Sequence, residues 1–349
     1  MSSRMATEIT EQPAALKATQ RVVRPLHGEL RDLARGTDRV VLFARGSSDS
    51  AATYGRYLLE VTAGIPAAMG APSVATVYKS SLDLRTTLAV VCSQSGYTSE
   101  LVEVAGWARR CGARVIAVTN DELSPWAAAT DLCLVTQAGE ETAVPATKSH
   151  STCLLALAEL ALALTPPTRP GRQQLLDAVD RVPDEVQRLL SSQPSTEALA
   201  EKLQSATAFC VAGRGFTYTT ALELALKIEE TTGVPCIGMS QADLQHGPIA
   251  VLGPTHPLIL AAADHGPTIP GLVALAVAAR SRGAEVVLLG GNSAFEEAVS
   301  DTLIGPRLPE PIAPLALIVP GQLFAESLSR RLGYDPDQPV GLSKVTQTT

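Results

Sequence analysis

The 349-residue sequence predicts an α/β protein, a tandem duplication of a doubly wound parallel-sheet domain. Three observations predict it. Short β-branched runs alternate with helical patterns along the chain. The runs are apolar throughout rather than alternating with polar residues, as in parallel strands covered on both faces. The sequence also repeats itself: Gly46, Gly64 and Pro66 recur as Gly215, Gly233 and Pro235, at an offset of 169. A second anchor, Cys111-Gly112-Ala113 before Val115–Val118, recurs as Arg282-Gly283-Ala284 before Val286–Leu289, at an offset of 171. Anchors in the same order at nearly constant offset mark duplication.

In chain order, residues 1–36 read as an N-terminal helical arm. Residues 37–164 form the first copy, with strands expected at Arg39–Phe43, Thr87–Cys92, Val115–Val118 and Leu132–Val135. Residues 165–192 read as a linker, because Thr165–Gly171 holds three prolines and a glycine, a helix stop. Residues 193–333 form the second copy, with strands expected at Ala208–Ala212, Pro257–Ala262, Val286–Leu289 and Ile312–Ile318. The segment 334–349 is a polar, proline-bearing tail with no core pattern.

Composition narrows the function. Apolar residues make up 46% and charged residues 18%, enough for two cores. The net charge of −7 gives no footprint for nucleic acid or an anionic membrane. The longest apolar run, Cys153–Leu164, is interrupted by Glu159 and falls short of the ~20 residues that span a bilayer, so it reads as a buried helix. Met1–Met5 leads into a polar helical pattern without a signal-peptide core, so a cytoplasmic protein is expected. The six cysteines form no CxxC pair and read as buried hydrophobes of a reducing compartment. The five histidines lack ligand spacing, so neither metal nor cofactor is expected.

Ligands of doubly wound sheets bind where strand ends meet helix N-termini. Ser93-Gln94-Ser95-Gly96-Tyr97-Thr98 lies there, between a strand and the helical run Glu100–Arg110. Three hydroxyls, a glycine and free backbone N–H groups suit a phosphate dianion better than a plain cap requires. Arg45-Gly46-Ser47-Ser48, at the end of the preceding strand, can add donors. The second copy's loop, Asp264–Pro267, lacks the hydroxyls and is expected to have lost its phosphate.

Glu223, Lys227 and Glu230 lie at i, i+4 and i+7, on one helix face. Such a stripe is ordinarily an exposed salt-bridge ladder, yet Leu222, Leu224, Ala225, Leu226 and Ile228 leave little room for a solvent face. His246 before Gly247-Pro248, and Lys344 in the tail, read as structural and frayed on their own.

These residues carry a resemblance. Glu8-Ile-x-Glu-Gln-Pro13, the Ser93–Thr98 loop, Ala146-Thr-Lys148, Ala221-Leu-Glu-x-Ala-Leu-Lys227, His246-Gly-Pro248, Asp337-Gln-Pro339 and Leu342-Ser-Lys344 together resemble the SIS (sugar isomerase) family. The similarity is to the isomerase half of glucosamine-6-phosphate synthases and to stand-alone SIS-type glucosamine-6-phosphate deaminases, and it covers nearly the whole chain. It implies that Ser48, Ser93, Gln94, Ser95 and Thr98 hold the sugar phosphate, and that Ser47, Val144 and Ala146 contact the sugar. Ala146 stands where the synthases carry a hydroxyl, so a side-chain contact is lost there. Tyr97 replaces an acidic residue at the rim. Glu230 becomes the base that moves a proton between C1 and C2, with its pKa expected to rise on burial. Glu223 and Lys227 support it. His246, oriented by Asp243, assists ring opening, from a loop that in the family enters the neighbouring subunit's site. A homodimer is therefore implied. Lys344 contacts the open chain near C1–C2 and can form an imine.

The sequence shows no glutaminase domain, and its first cysteine is Cys92, inside an expected strand. A deaminase/isomerase acting on glucosamine 6-phosphate is thus expected. The alternatives are a galactosamine-6-phosphate deaminase/isomerase, a fructosamine-6-phosphate deglycase, an ammonia-dependent synthase and a non-catalytic sugar-phosphate sensor.

Overall fold

The computed structural model describes residues 3–126, 130–191 and 196–344. Residues 1–2 of the expected arm, 192 of the expected linker and 345–349 of the tail lie outside the described residues, as do 127–129 and 193–195 of the two copies. The chain folds as two compact units. The first comprises 14–141, 148–179 and the tail from Ser343; the second comprises 1–13, 142–147 and 180–342.

The first unit holds a parallel sheet of β1 (Arg39–Phe43), β2 (Ala67–Met69), β3 (Thr87–Cys92), β4 (Arg114–Thr119) and β5 (Leu132–Val135), in the order β2-β1-β3-β4-β5. Val41 pairs with Ala89, and Val90 with Ile116, so the middle of the ladder is apolar, while Arg39 and Arg114 lie at its start. All six residues of β3 are buried, as a central strand with helices on both faces requires. One face packs Phe43, Ala89, Val91 and Val115 against Leu101, Val104 and Trp107 of the helix Ser99–Arg110. The apolar run that Glu159 interrupts is the helix Lys148–Leu164, buried over nearly its whole length. Glu159 is tolerated there because Arg24 grips it through two nitrogens, at 2.7–2.9 Å, and His27 Nε2 lies 2.7 Å away.

The second unit repeats the architecture. Its strands are β6 (Phe209–Gly213), β7 (Cys236–Ser240), β8 (Leu258–Ala262), β9 (Val286–Gly290) and β10 (Asp301–Leu303), in the order β7-β6-β8-β9-β10. Counted from each unit's own first strand, the two orders are identical. Leu258, Leu260 and Val286 pack under Leu272, Leu275 and Ala279 of the helix Ile269–Ser281.

Two expectations are corrected. Ile312–Ile318 is not a strand: it runs into the helix Pro314–Arg331, and the fifth strand is instead the short Asp301–Leu303. A short continuous apolar run has no period that separates a buried strand from a buried helix, whereas a proline in the first turn favours the helix. Most of the expected linker is also regular, since Arg172–Ser191 is helical and only the proline-rich stretch before it is a connection. Among the described residues, no helix is long and apolar enough to cross a membrane.

Candidate active site

In the first unit, the loop Ser93–Thr98 joins β3 to the helix Ser99–Arg110, as expected. Its turn depends on Gly96, whose φ of +68° suits glycine and where a Cβ would fall 2.5 Å from Ser124 Cβ. The Gln94 carbonyl anchors the loop by accepting from Asn120 N at 2.9 Å and Thr119 Oγ1 at 3.1 Å. Ser93 Oγ accepts from Gly96 N at 3.3 Å and lies 3.5 Å from Thr98 Oγ1; Ser95 Oγ accepts from Tyr97 N at 3.2 Å. Hydroxyls and backbone amides therefore gather at the N-terminus of a 12-residue helix, where partial positive charge favours an oxyanion. Tyr97 sits exposed at the rim.

Ser47 and Ser48 open a second helix, Ser47–Leu58, directly after Gly46. The Ser47 carbonyl accepts from Ser50 Oγ at 2.9 Å and is 3.0 Å from His150 Nδ1, which ties this turn to the helix Lys148–Leu164. Arg45 is not a free donor: its guanidinium forms a two-point pair with Glu100, at 2.9 and 2.8 Å.

The tail is not frayed at Lys344. Its Nζ donates to Glu141 Oε2 at 2.6 Å, and the Glu141 side chain is fully buried. Ser149 adds its hydroxyl at 2.5 Å and its backbone N–H at 3.0 Å. Burial alone pushes the Glu141 carboxyl up, but Lys344 and Ser149 outweigh it and hold its pKa below the ordinary glutamate value. Sequence reasoning missed Glu141; the only available signal was an acid just before the Ala146-Thr-Lys148 motif.

In the second unit, two motifs of the resemblance, Glu8–Pro13 and Asp337–Pro339, converge on the segment 142–147, which carries Val144 and Ala146. Glu8 accepts from Thr142 N at 2.5 Å and Ala143 N at 3.3 Å. Gln12 donates to Gln322 at 2.8 Å, and Gln322 in turn reaches the Thr147 carbonyl at 3.4 Å. The Asp337 carboxylate accepts from Arg4 N and Met5 N, at 2.9 and 2.8 Å, while its carbonyl accepts from Val144 N at 2.9 Å. The Val144 N–H is thereby spent on the protein.

The helix Thr217–Thr232 carries the acid–base stripe. Glu223 and Lys227 are fully buried, and Lys227 Nζ lies 3.5 Å from Glu223 Oε1 and 2.5 Å from Glu230 Oε2. The expected burial of Glu230 is only partial, with 23% of its side chain exposed. Neighbouring Glu229 faces elsewhere, accepting from Cys236 N at 3.1 Å. His246 and Asp243 are exposed on the short helix Gln241–Gln245 and the turn that follows it. What joins them is the backbone bond from His246 N to the Asp243 carbonyl, at 3.1 Å.

The sequence model of the SIS domain family matches residues 34–163 and 202–304, covering both sheets. The chain belongs to the SIS domain family. Within it, the chain is 32% identical over 348 residues to a glutamine–fructose-6-phosphate aminotransferase (isomerizing) of Pyrococcus horikoshii, covering 97% of this chain and 57% of that protein. The corresponding aminotransferase of Thermus thermophilus is also 32% identical, over 357 residues, covering 97% of this chain and 58% of that one. The chain thus spans little more than half the length of these relatives. Among solved structures, the C-terminal domain of a glucosamine-fructose-6-phosphate aminotransferase from Francisella tularensis shares the fold, with a TM-score of 0.89 at 22% identity over 97% of this chain and 99% of that one. A glucosamine-6-phosphate deaminase from Thermotoga maritima aligns over 99% of this chain and all of its own, with a TM-score of 0.77 and 25% identity.

As a SIS protein, the chain carries the sequence-assigned residues in two sets. Ser47, Ser48, Ser93, Gln94, Ser95, Thr98 and Lys344 belong to the first unit; Val144, Ala146, Glu223, Lys227, Glu230, Asp243 and His246 belong to the second.

Proposed function

We propose that this SIS protein is an isomerising deaminase that converts glucosamine 6-phosphate and water to fructose 6-phosphate and ammonia. The observation that carries the reading is the Glu223–Lys227–Glu230 array, in which a buried lysine contacts a partly exposed carboxylate. The full-length likeness to a glucosamine-6-phosphate deaminase supports it.

In this reading, Ser48, Ser93, Gln94, Ser95 and Thr98 hold the phosphate, and Ser47 with the carbonyls of Val144 and Ala146 meets the sugar hydroxyls. His246 passes a proton from the anomeric hydroxyl to the ring oxygen, which opens the ring to the aldehyde. Glu230 removes the C2 proton to give the enolamine and returns it to C1, leaving a C2 imine. Water adds at C2, and ammonia departs as the ketone forms. Lys344, held as an ion pair by Glu141, stabilises charge at the C1 and C2 oxygens. The exposed His246 loop fits the homodimer that the family resemblance implies.

A second reading, amination of fructose 6-phosphate, is favoured by the 32% identity to aminotransferases. Purified protein given glucosamine 6-phosphate should release ammonia and fructose 6-phosphate in equal amounts. Turnover of galactosamine 6-phosphate or a fructosamine 6-phosphate alone would replace the substrate. Turnover only of fructose 6-phosphate, with ammonia from a glutaminase, would replace the reaction. Binding without any turnover would leave a sensor.

A further inference from the structure

The second unit holds a counterpart of the Ser93–Thr98 loop, and a side chain of the same unit lies over it. β3 ends at Cys92 and its helix starts at Ser99; β8 ends at Ala262 and its helix starts at Ile269, an offset of 170 at both points. At that offset, Gly96 corresponds to Gly266 and Thr98 to Thr268. Ser93 and Ser95 correspond to Ala263 and His265. Both glycines have positive φ, +68° and +154°, and two of the first loop's hydroxyls are gone from the second.

Glu310 lies over this turn. Its Oε1 accepts from Thr268 Oγ1 at 2.8 Å. A Cβ on Gly266 would fall 2.6 Å from Glu310 Cδ, and one on Gly215, the counterpart of Gly46, 3.9 Å from Oε1. The carboxylate thus rests on the turn, at the N-terminus of the 13-residue helix Ile269–Ser281. A tight turn places it there: the Pro309 carbonyl accepts from Ile312 N at 2.8 Å and Ala313 N at 2.9 Å.

We propose that Glu310 is a built-in anion that fills the second unit's copy of the oxyanion cradle, so that this unit takes no phosphate of its own until the carboxylate is removed. The Thr268 hydroxyl is the donor this carboxylate satisfies, and a helix N-terminus favours a negative charge beside it. Being covalently part of the chain, it needs no free ligand. The duplicated protein is thereby restricted to the Ser93–Thr98 loop for substrate.

The test is Glu310→Ala titrated with inorganic phosphate, with sulfate soaked into its crystals. The variant should bind one more phosphate per chain than the wild type, and the added anion should touch Thr268 and Gly266. Glu310→Gln, which keeps the shape and the Thr268 contact, should gain none. Should Glu310→Ala fold poorly, phosphate at constant ionic strength should restore it more than it stabilises the wild type. A well-folded Glu310→Ala with wild-type phosphate stoichiometry would overturn the proposal. So would equal gains in the Ala and Gln variants, or a poorly folded Glu310→Ala that phosphate does not restore. Wild-type binding at Ser93–Thr98 is read separately, so failure at one loop leaves the other standing.

Discussion

Lys344 Nζ sits 2.6 Å from the buried carboxylate of Glu141, a residue 203 positions earlier. This contact fixes the position of a tail that composition alone would leave loose. It also sets a pH dependence. The Glu141 pKa is depressed in the folded protein, so its contribution is complete above the ordinary glutamate value of about 4.3 and is lost as pH falls through the depressed one. Glu141→Gln should cost about 1–3 kcal/mol near neutrality. Thermal midpoints of variant and wild type should converge as the solution is acidified below pH ~4. A gap independent of pH would refute the ionised pair.

Gly96→Ala should weaken sugar-phosphate binding more than the truncation of any one hydroxyl. The added Cβ meets Ser124 and a left-handed backbone at once, which costs about 1–3 kcal/mol and distorts the turn. Titration with glucosamine 6-phosphate against Ser95→Ala and wild type gives the ranking. Wild-type affinity in Gly96→Ala would remove the loop from the site.

Glu230→Gln should retain the contact with Lys227 and lose the base. Exchange of the C2 hydrogen with deuterated water, followed by NMR, should fall by about 10²–10⁴-fold while substrate still binds. Undiminished exchange would transfer the role to another group.

Lys227→Met tests the array beneath it. The change leaves the Glu223 carboxylate in an apolar interior without its ammonium, and breaking such a pair costs about 3–5 kcal/mol. Chemical denaturation should show the loss, and the double variant Glu223→Gln/Lys227→Met should recover part of it. A double variant no more stable than Lys227→Met would argue that the two do not act as a pair.

Asp337→Ala removes the acceptor for the N–H groups of Arg4 and Met5, at a cost of about 1–2 kcal/mol. Amide exchange should quicken in the helix Arg4–Thr10 and in 142–147, because the same residue's carbonyl holds Val144. Protection unchanged in both segments would show that other contacts suffice.

Much of the candidate site was legible because its residues are close in sequence. Ser93–Thr98 announces itself through hydroxyls and a glycine crowded between a strand and a helix, and Glu223, Lys227 and Glu230 through helical spacing. Glu141, Gln322 and Glu310 were not legible, because each works through a partner distant in sequence and no short window holds both ends. Asp337 and Glu8 appeared as parts of motifs, but their task of pinning 142–147 is a tertiary fact.

The sequence by itself determined the duplication, the parallel sheets and the place of the Ser93–Thr98 loop between a strand and a helix, since all three rest on periodicity and on residues that are neighbours in the chain. Only the tertiary structure decided that Ile312–Ile318 enters a helix, that the tail lysine is captured by Glu141, and that Glu310 lies over the turn at Gly266. Those outcomes depend on which buried polar groups find each other, and a buried charge is settled by the partner within about 3 Å of it rather than by its sequence neighbours.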